Sequence, residues 1–230
     1  MSVLHLSVKN HFHANAVVGW HLVAGLLVFA TMTLIVGEMG EQISNGEPLT
    51  HVDLRLTAWL TAHRFPALTT TLWLATALGS TWVASCAAVC AGLYLLWRRQ
   101  PYWFTAVWLA VFGGMGLNRL LKYTFQRPRP YFDDPILSLT GYSFPSGHTM
   151  TATVLYAVLA AYLVAHTKRL GWRVVIVLAA SVLIATVGFS RIYLGAHYLS
   201  DVLGALAEGL AWLSLCLTTV YTVWRLRNQD

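Results

Sequence analysis

Residues 190–201 read SRIYLGAHYLSD and form a short polar break between two long apolar runs. The runs lie near Val174–Arg191 and Leu199–Val223, and each is about long enough to cross a bilayer as a helix. Arg191 and His197 are six residues apart and would not share a face of one continuous helix, so the chain must turn near Gly195. The stretch predicts two adjacent membrane helices with a polar turn at the membrane surface.

The rest of the chain has the composition of a membrane protein. Of its 230 residues, 57% are apolar or aromatic and 10% are charged, whereas a soluble domain carries about 25% charged residues. We therefore predict an all-α, polytopic membrane helix bundle, formed by residues 1–230 as a single domain. The formal charge of +6 is not arranged as a basic stripe interleaved with exposed aromatics. The expected partner is thus a lipid bilayer and not nucleic acid.

About six transmembrane helices are predicted, with short interfacial helices between the first and second spans. The mixture of apolar and charged residues from His51 to Gly79, broken by Pro66, favours short amphipathic helices at the interface. The polar stretch Gly37–Thr50 is predicted to be an exposed loop. The six apolar runs are Ala16–Val36, Ser80–Trp97, Tyr102–Leu121, His148–His166, Val174–Arg191 and Leu199–Val223.

Clusters of basic residues orient this predicted bundle. The clusters are Arg98-Arg99, Lys168-Arg169 with Arg173, and Arg225 with Arg227. Cytoplasmic loops carry such an excess of Lys and Arg, so we expect an inner-membrane protein with both termini in the cytoplasm. The basic segments around Arg119–Arg129 and Arg191 then lie on the periplasmic or extracellular face. Cations placed against the rule indicate an anion site there.

The polar turn contains a candidate nucleophile. His197 and Asp201 are four residues apart and would stack on one face of a helix. A carboxylate that accepts the proton of one imidazole nitrogen leaves the other nitrogen free to attack. Taken alone, the pair suits a structural hydrogen bond equally well, and Arg191 suits a headgroup anchor.

Two further segments carry groups that bind anions. In the first, Lys122 and Arg129 supply cations that suit phosphate oxygens. In the second, Ser146, Gly147 and His148 would present a hydroxyl, an amide and an imidazole at a helix N-terminus, which favours an anion. The alternatives are a basic loop that faces lipid headgroups, our interpretation of Arg119 and Arg127, and an ordinary helix N-cap. The acidic doublet Asp133-Asp134 is interpreted as a loop feature and not as a magnesium site.

In combination the three segments resemble the signature motifs of the type 2 phosphatidic acid phosphatase superfamily, which also includes vanadium-dependent haloperoxidases. The matching elements are Lys122, six residues, then Arg129-Pro130; Pro145-Ser146-Gly147-His148; and Ser190-Arg191, five residues, His197, three residues, Asp201. The motif region covers about a third of the chain, and the six-span layout is similar over the remainder.

The resemblance implies metal-independent hydrolysis of a lipid phosphate, with no cofactor. It makes His197 the nucleophile that forms a phosphohistidine, Asp201 the group that holds its ring, and His148 the acid and then the base. The phosphate-binding residues it implies are Lys122, Arg129, Ser146, Gly147 and Arg191. Bacterial relatives of this size act on undecaprenyl diphosphate, phosphatidylglycerophosphate, phosphatidate or lipid A, and the motifs do not choose among these substrates. We expect Gly37–Gly79 and Tyr131–Ser143 to shape that choice.

Three other functions stay open. A phosphotransferase would use the same site with a different acceptor, and a haloperoxidase would hold vanadate on His197. A lipid transporter would need polar or broken helices at mid-membrane depth, whereas most charged residues lie at the ends of the apolar runs. Glu208, inside the last run, is the exception and could pair with a neighbouring span. The sequence leaves the oligomeric state open.

Overall fold

The computed structural model is a helix bundle and describes residues 2–46, 48–132 and 139–227. The α-helices in these ranges are α1 (Ser2–Asn45), α2 (Pro48–Ala62), α3 (Pro66–Thr76), α4 (Thr81–Trp97), α5 (Pro101–Trp108), α6 (Gly114–Phe125), α7 (Gly147–His166), α8 (Leu170–Tyr193) and α9 (Leu199–Arg227). A 3-10 turn, Ala77–Gly79, follows α3, and a π-helical turn, Leu109–Gly113, joins α5 to α6. The predicted all-α class is confirmed.

The number of spans also agrees with the prediction. Over the described residues, five helical segments are long and apolar enough to cross a membrane. They are Gly19–Asn45, Pro101–Phe125, Gly147–His166, Leu170–Tyr193 and Leu199–Arg227. A sixth span results if α3 with its 3-10 turn and α4, which meet at a bend of 46°, cross the membrane together.

The segment between the first two predicted spans is partly different from expectation. The loop predicted over Gly37–Thr50 is wrong, because α1 continues through most of it and α2 starts before it ends. Val36, Met39 and Ile43 recur at helical spacing and pack with Phe125 of α6, so burial of this stripe extends the helix. Short helices are present from His51 onward as α2 and α3, but α3 is also the first part of the sixth candidate span. The position of α2 at the interface stays a prediction.

The centre of the bundle is α7, which contacts α4, α5, α6, α8 and α9. Small and β-branched side chains fill its surroundings, among them Ala84, Ala88, Val107, Val154 and Ala205. Small residues let membrane helices approach closely, which supplies packing energy where lipid offers no hydrophobic drive. On the outer side, α1 packs along α9.

The two ends of the bundle have different contents. At one end, contacts between Gln100 and His166 and between the rings of Tyr102 and Trp224 bring the α4–α5 connection, the end of α7 and the end of α9 together. This end carries the three basic clusters, and we call it the basic end. The opposite end holds the C-termini of α6 and α8 and the N-termini of α7 and α9, and it contains the candidate active site.

Candidate active site

The polar turn between α8 and α9 has the reversal that the sequence predicted. Gly195 has a φ of +74°, a left-handed conformation that glycine adopts without strain. The backbone N–H groups of Ala196 and His197 donate to the carbonyl of Arg191 at 3.0 and 3.2 Å, which closes the end of α8. The turn therefore brings His197 back beside the end of α8, which carries Arg191.

His197 and Asp201 are paired, but not as two residues on one helix. His197 lies in the turn, and α9 begins only at Leu199. Asp201, in the first turn of α9, reaches back and accepts a hydrogen bond from the N–H of Tyr198 at 2.9 Å. The same oxygen, Oδ2, lies 3.3 Å from Nδ1 of His197. The expected helical stacking is wrong, and a capping contact produces the pair instead.

The carboxylate of Asp201 is held rigidly. Its side chain is fully buried and accepts from the hydroxyl of Ser143 and from Nη1 of Arg127 at 2.7 Å, besides its contacts with the turn. Burial lowers the pKa of His197 to about 3, although the hydrogen bond and charge of Asp201 act to raise it. The imidazole is therefore neutral at neutral pH, the form that a nucleophile needs.

The second ring nitrogen of His197 faces Arg129. Nη1 of Arg129 lies 3.3 Å from Nε2 of His197 and donates to the carbonyl of Ala196 at 3.0 Å. A neutral imidazole that donates from Nδ1 to Asp201 has its lone pair at Nε2. This tautomer directs the lone pair toward the cations of the site. Burial also lowers the pKa of Arg129, an effect that Asp201 opposes.

Two more cations come from the neighbouring helices. Nζ of Lys122, on α6, donates to the carbonyls of Tyr142 and Ser143 at 2.9 and 3.1 Å. Arg191, on α8, is 3% exposed and donates from Nη1 to Thr76 at 2.9 Å. Its Nε is buried and has no hydrogen-bond partner in the described part of the chain. A buried donor without a partner suits an anionic ligand.

The start of α7 completes the site. Ser146 is fully buried, its N–H donates to the carbonyl of Asp201 at 3.0 Å, and its hydroxyl accepts from Thr149 at 3.0 Å. Ser146 occupies the N-cap position, but its side chain makes no capping hydrogen bond. Gly147 and His148 follow in the first turn. The hydroxyl of Ser146 can therefore still donate to a ligand at the helix N-terminus.

The eight predicted site residues thus lie at one end of the bundle. Arg191, Arg129 and Lys122 are the charged side chains that act on His148, and Arg191 and Lys122 also act on His197. No group of three or more His, Cys, Asp or Glu side chains that could hold a metal ion occurs within the described ranges. The doublet Asp133-Asp134 and the rest of residues 133–138, part of the segment Tyr131–Ser143 that was expected to shape selectivity, lie outside those ranges.

Sequence reasoning missed two residues of this site. Arg127 was interpreted as facing lipid headgroups, and that is wrong: it is 5% exposed and bound to Asp201. Ser143 was included only in the segment expected to shape selectivity, and it donates to the same carboxylate. Neither position is marked by spacing or by a helical pattern, since both lie in irregular backbone. Arg119, by contrast, is exposed as expected.

Comparison with known proteins places this geometry in a family. Residues 103–225, more than half of the chain, match the model of the PAP2 superfamily. Phosphatidylglycerophosphatase B of Bacillus subtilis (strain 168) is 41% identical over 110 residues, which are 47% of this chain and 54% of that protein. Lipid A 1-phosphatase of Rhizobium etli is 35% identical over 142 residues, 56% of this chain and 53% of that protein. The chain spans about half the length of these curated relatives.

A solved structure extends the similarity beyond the motif region. The crystal structure of a transmembrane PAP2-type phosphatidylglycerolphosphate phosphatase from Bacillus subtilis has a TM-score of 0.73 with this chain at 27% identity. The match covers 84% of this chain and 93% of that one, so the helices outside residues 103–225 are largely shared. The resemblance stated from the three motifs is confirmed: the chain belongs to the PAP2 superfamily, the type 2 phosphatidic acid phosphatases.

Proposed function

We propose that this membrane protein hydrolyses a lipid phosphate, without a metal, through a phosphohistidine formed on His197. The observation that carries the proposal is the geometry of that imidazole. Its Nδ1 is held by the buried carboxylate of Asp201, and its Nε2 faces Arg129 within a group of three cations. Phosphoryl transfer depends mainly on positioning and on charge stabilisation, and this arrangement supplies both.

In the first step, Nε2 of His197 attacks phosphorus. The P–N bond forms as the bond between phosphorus and the lipid oxygen breaks, and that oxygen leaves with the bonding electrons. His148 gives it a proton, so the product is a lipid alcohol, or a lipid monophosphate if the substrate was a diphosphate. Lys122, Arg129 and Arg191 stabilise the charge on the non-bridging oxygens.

In the second step, water replaces the enzyme as the partner of phosphorus. His148, now neutral, takes a proton from the water, whose oxygen attacks phosphorus as the P–N bond breaks. Orthophosphate leaves, and His197 recovers its lone pair. Asp201 holds the ring in one tautomer throughout, so the same nitrogen serves both steps.

The position of the site supports a lipid as the substrate. It lies where the spans end, so a phosphate headgroup could enter while its acyl or prenyl tail stays in the bilayer. The relatives are named for phosphatidylglycerophosphate and lipid A phosphates, and we propose a substrate among these, undecaprenyl diphosphate and phosphatidate. The three basic clusters lie at the other end, which favours an inner-membrane protein with its site on the periplasmic or extracellular face.

The test is phosphate release by the detergent-solubilised protein from a panel of these lipids in EDTA. We expect the parent to release orthophosphate and His197→Ala to lose at least about 10³-fold in kcat. His166→Ala, at the basic end, is the matched control and should retain the parent's rate. Acid-labile, base-stable phosphate on the parent but not on His197→Ala would identify the phosphohistidine.

Three results would contradict the proposal. Release of orthophosphate by His197→Ala at the parent's rate would show that His197 is not the nucleophile. Loss of activity in EDTA with recovery in Mg²⁺ would show that the reaction needs a metal ion. Transfer of phosphate to a lipid acceptor, with no free orthophosphate, would make the chain a phosphotransferase.

A further inference from the structure

Asp53 is a buried acid on α2, a helix that exposes the residues on both sides of it. Its neighbours Val52, Leu54 and Arg55 on α2 are exposed, whereas Asp53 is 0% exposed. Its Oδ1 accepts from the N–H of Ser200 at 2.9 Å, and its Oδ2 accepts from the hydroxyl of Ser200. Asp53 therefore caps the N-terminus of α9 at Ser200, the residue that precedes Asp201.

Arg127 joins this carboxylate to the carboxylate of the candidate active site. Its Nη2 donates to Asp53 at 2.8 Å, and its Nη1 donates to Asp201 at 2.7 Å and to Ser200 at 2.7 Å. The guanidinium also packs over the ring of Tyr198 at 4.1 Å. A planar guanidinium can hold two carboxylates at a fixed separation, which a lysine ammonium cannot do with the same geometry.

We propose that Asp53 and Arg127 are positioning residues for the histidine nucleophile. They fix the carboxylate of Asp201, and Asp201 in turn fixes the imidazole of His197. Arg127 lies in the six-residue spacer of the first motif and is not one of its signature residues. Asp53 lies outside all three motifs and outside residues 103–225, which match the family model. The helix α2 thus contributes to the reaction through this contact.

The charge of this cluster also suits the reaction. Asp53 and Asp201 carry two negative charges and Arg127 carries one positive charge, so the buried cluster has a net charge of −1. Both carboxylates lie at the N-terminus of α9, where the helix dipole and backbone donors stabilise negative charge. When Nε2 of His197 bonds to phosphorus, the imidazole gains positive charge. The surplus negative charge then stabilises the ring more in the transition state than in the resting state.

A purely structural role makes a different prediction. If Asp53 only docks α2 on the bundle, its loss should lower stability and disturb substrate binding together with turnover. If it positions Asp201, its loss should lower kcat while the phosphate pocket, formed by Lys122, Arg129 and Arg191, still binds phosphate. The expected change in kcat rests on the proposed function. The orientation of the His197 imidazole by Asp53 and Arg127 does not.

The experiment compares Asp53→Asn with Arg55→Gln, a change of an exposed residue on the same helix. We expect Asp53→Asn to lower kcat by about 10- to 100-fold, the effect of losing one buried charge-assisted hydrogen bond. Its KM and its inhibition constant for orthophosphate should stay within about threefold of the parent. Arg55→Gln should match the parent in all three constants.

A second readout needs no activity. In protein with ¹⁵N-labelled histidine, the Nδ1–H resonance of His197, assigned by its loss in His197→Gln, should shift or disappear in Asp53→Asn and persist in Arg55→Gln. If the parent hydrolyses no lipid in the panel, the proposed function fails, and this resonance still tests the positioning role. If the parent is active but the resonance and kcat are unchanged in Asp53→Asn, the positioning role alone is overturned.

Arg127→Lys covers the case in which Asp53→Asn does not fold. The lysine keeps the positive charge but cannot bridge both carboxylates, so kcat should fall while orthophosphate still binds. A parent-like kcat and resonance in this variant would overturn the proposal. So would parallel losses of stability, orthophosphate binding and turnover in either variant, since they would indicate a structural role only.

Discussion

The two ends of this bundle are both rich in cations, but the cations differ in what surrounds them. At the site end, Arg127 and Arg191 are 5% and 3% exposed and have carboxylate or hydroxyl partners. At the basic end, Arg98, Lys168 and Arg169 are exposed at the ends of helices or between them. The same residue types thus occur at both ends in opposite environments.

The difference separates two uses of positive charge in a membrane protein. Exposed clusters orient the chain in the membrane, and their effect depends on how many Lys and Arg residues lie close to the ends of the spans. Buried cations are costly unless partners fix them, so their burial indicates directed interactions. Charge alone therefore predicts topology, and charge together with burial predicts chemistry. Substitutions at matched positions of the two ends test this distinction.

The largest difference is expected for arginine itself. Arg191→Ala should lower kcat/KM by about 10²- to 10³-fold, because it removes the buried donors that we propose bind the transferring phosphate. Arg169→Ala, at the basic end, should stay within about twofold of the parent. Steady-state kinetics on the most active lipid of the panel measure both values. A tenfold or smaller effect of Arg191→Ala would break the comparison.

Glycine substitutions should show a smaller difference in the same direction. A Cβ at Gly79 would lie 2.6 Å from the carbonyl oxygen of His148 and 2.6 Å from Val187, so the start of α7 must shift. We expect Gly79→Ala to cost about 1–3 kcal/mol of stability and to lower kcat.

The matched control is Gly171→Ala, in the first turn of α8 at the basic end. No atom lies within 4 Å of a Cβ built there, and alanine favours the helix by about 0.5–1 kcal/mol. Unfolding in detergent should therefore show destabilisation at Gly79 and none at Gly171. Equal effects at the two positions would show that the site end is not more tightly packed.

The buried histidine should make stability depend on pH. Burial lowers the pKa of His197 to about 3, whereas an unfolded histidine titrates near 6.5. Below about pH 6.5 the unfolded state therefore binds a proton that the folded state does not, and stability falls as the pH drops. At pH 5.5 the loss of stability is about 1.4 kcal/mol.

The measurement is the difference in unfolding free energy between pH 7.5 and 5.5. His197→Gln should remove this part of the pH dependence, and His166→Gln, on the exposed surface of the basic end, should leave it in place. An unchanged slope in His197→Gln would show that the ring titrates freely in the folded protein.

The sequence predicted the features that depend on local pattern. Apolar run lengths placed the spans, and the turn at Gly195 followed from the separation of Arg191 and His197. Prediction from the sequence was wrong where a contact between distant parts of the chain decides the structure. The polar stretch after Val36 is helical because one of its faces packs on α6, a contact that hydropathy does not contain.

The candidate site shows the same limit in its chemistry. Motif spacing found His197 and Asp201, but a separation of four residues fits both a shared helix face and the capping turn observed. Asp53 and Arg127 are 74 residues apart and bind each other only because the tertiary fold brings α2 beside the segment that follows α6. Neither residue has a property in the sequence that predicts this ion pair.

Glu208 makes the smallest prediction, and it tests whether every buried acid near the site is functional. It lies on α9 about two turns after Asp201, is 2% exposed, and accepts from Nδ2 of Asn118 on α6 at 2.9 Å. This contact is the pairing with a neighbouring span that the sequence suggested. Unlike Asp201, it has no cation within hydrogen-bonding distance among the described residues.

A charge held by one amide inside a span is costly, so a neutral side chain should serve Glu208 equally well. Gln offers the same acceptor to Asn118, and we expect Glu208→Gln to change kcat by less than about threefold and stability by less than about 1 kcal/mol. Asp201→Asn, on the same helix, should lower kcat by at least about 100-fold if the charge of Asp201 orients and stabilises the nucleophile as we propose. A comparable loss of kcat in Glu208→Gln would show that the charge or proton of Glu208 takes part in the reaction. Both buried acids of α9 would then be functional, and burial without a cation partner would not mark an acid as structural.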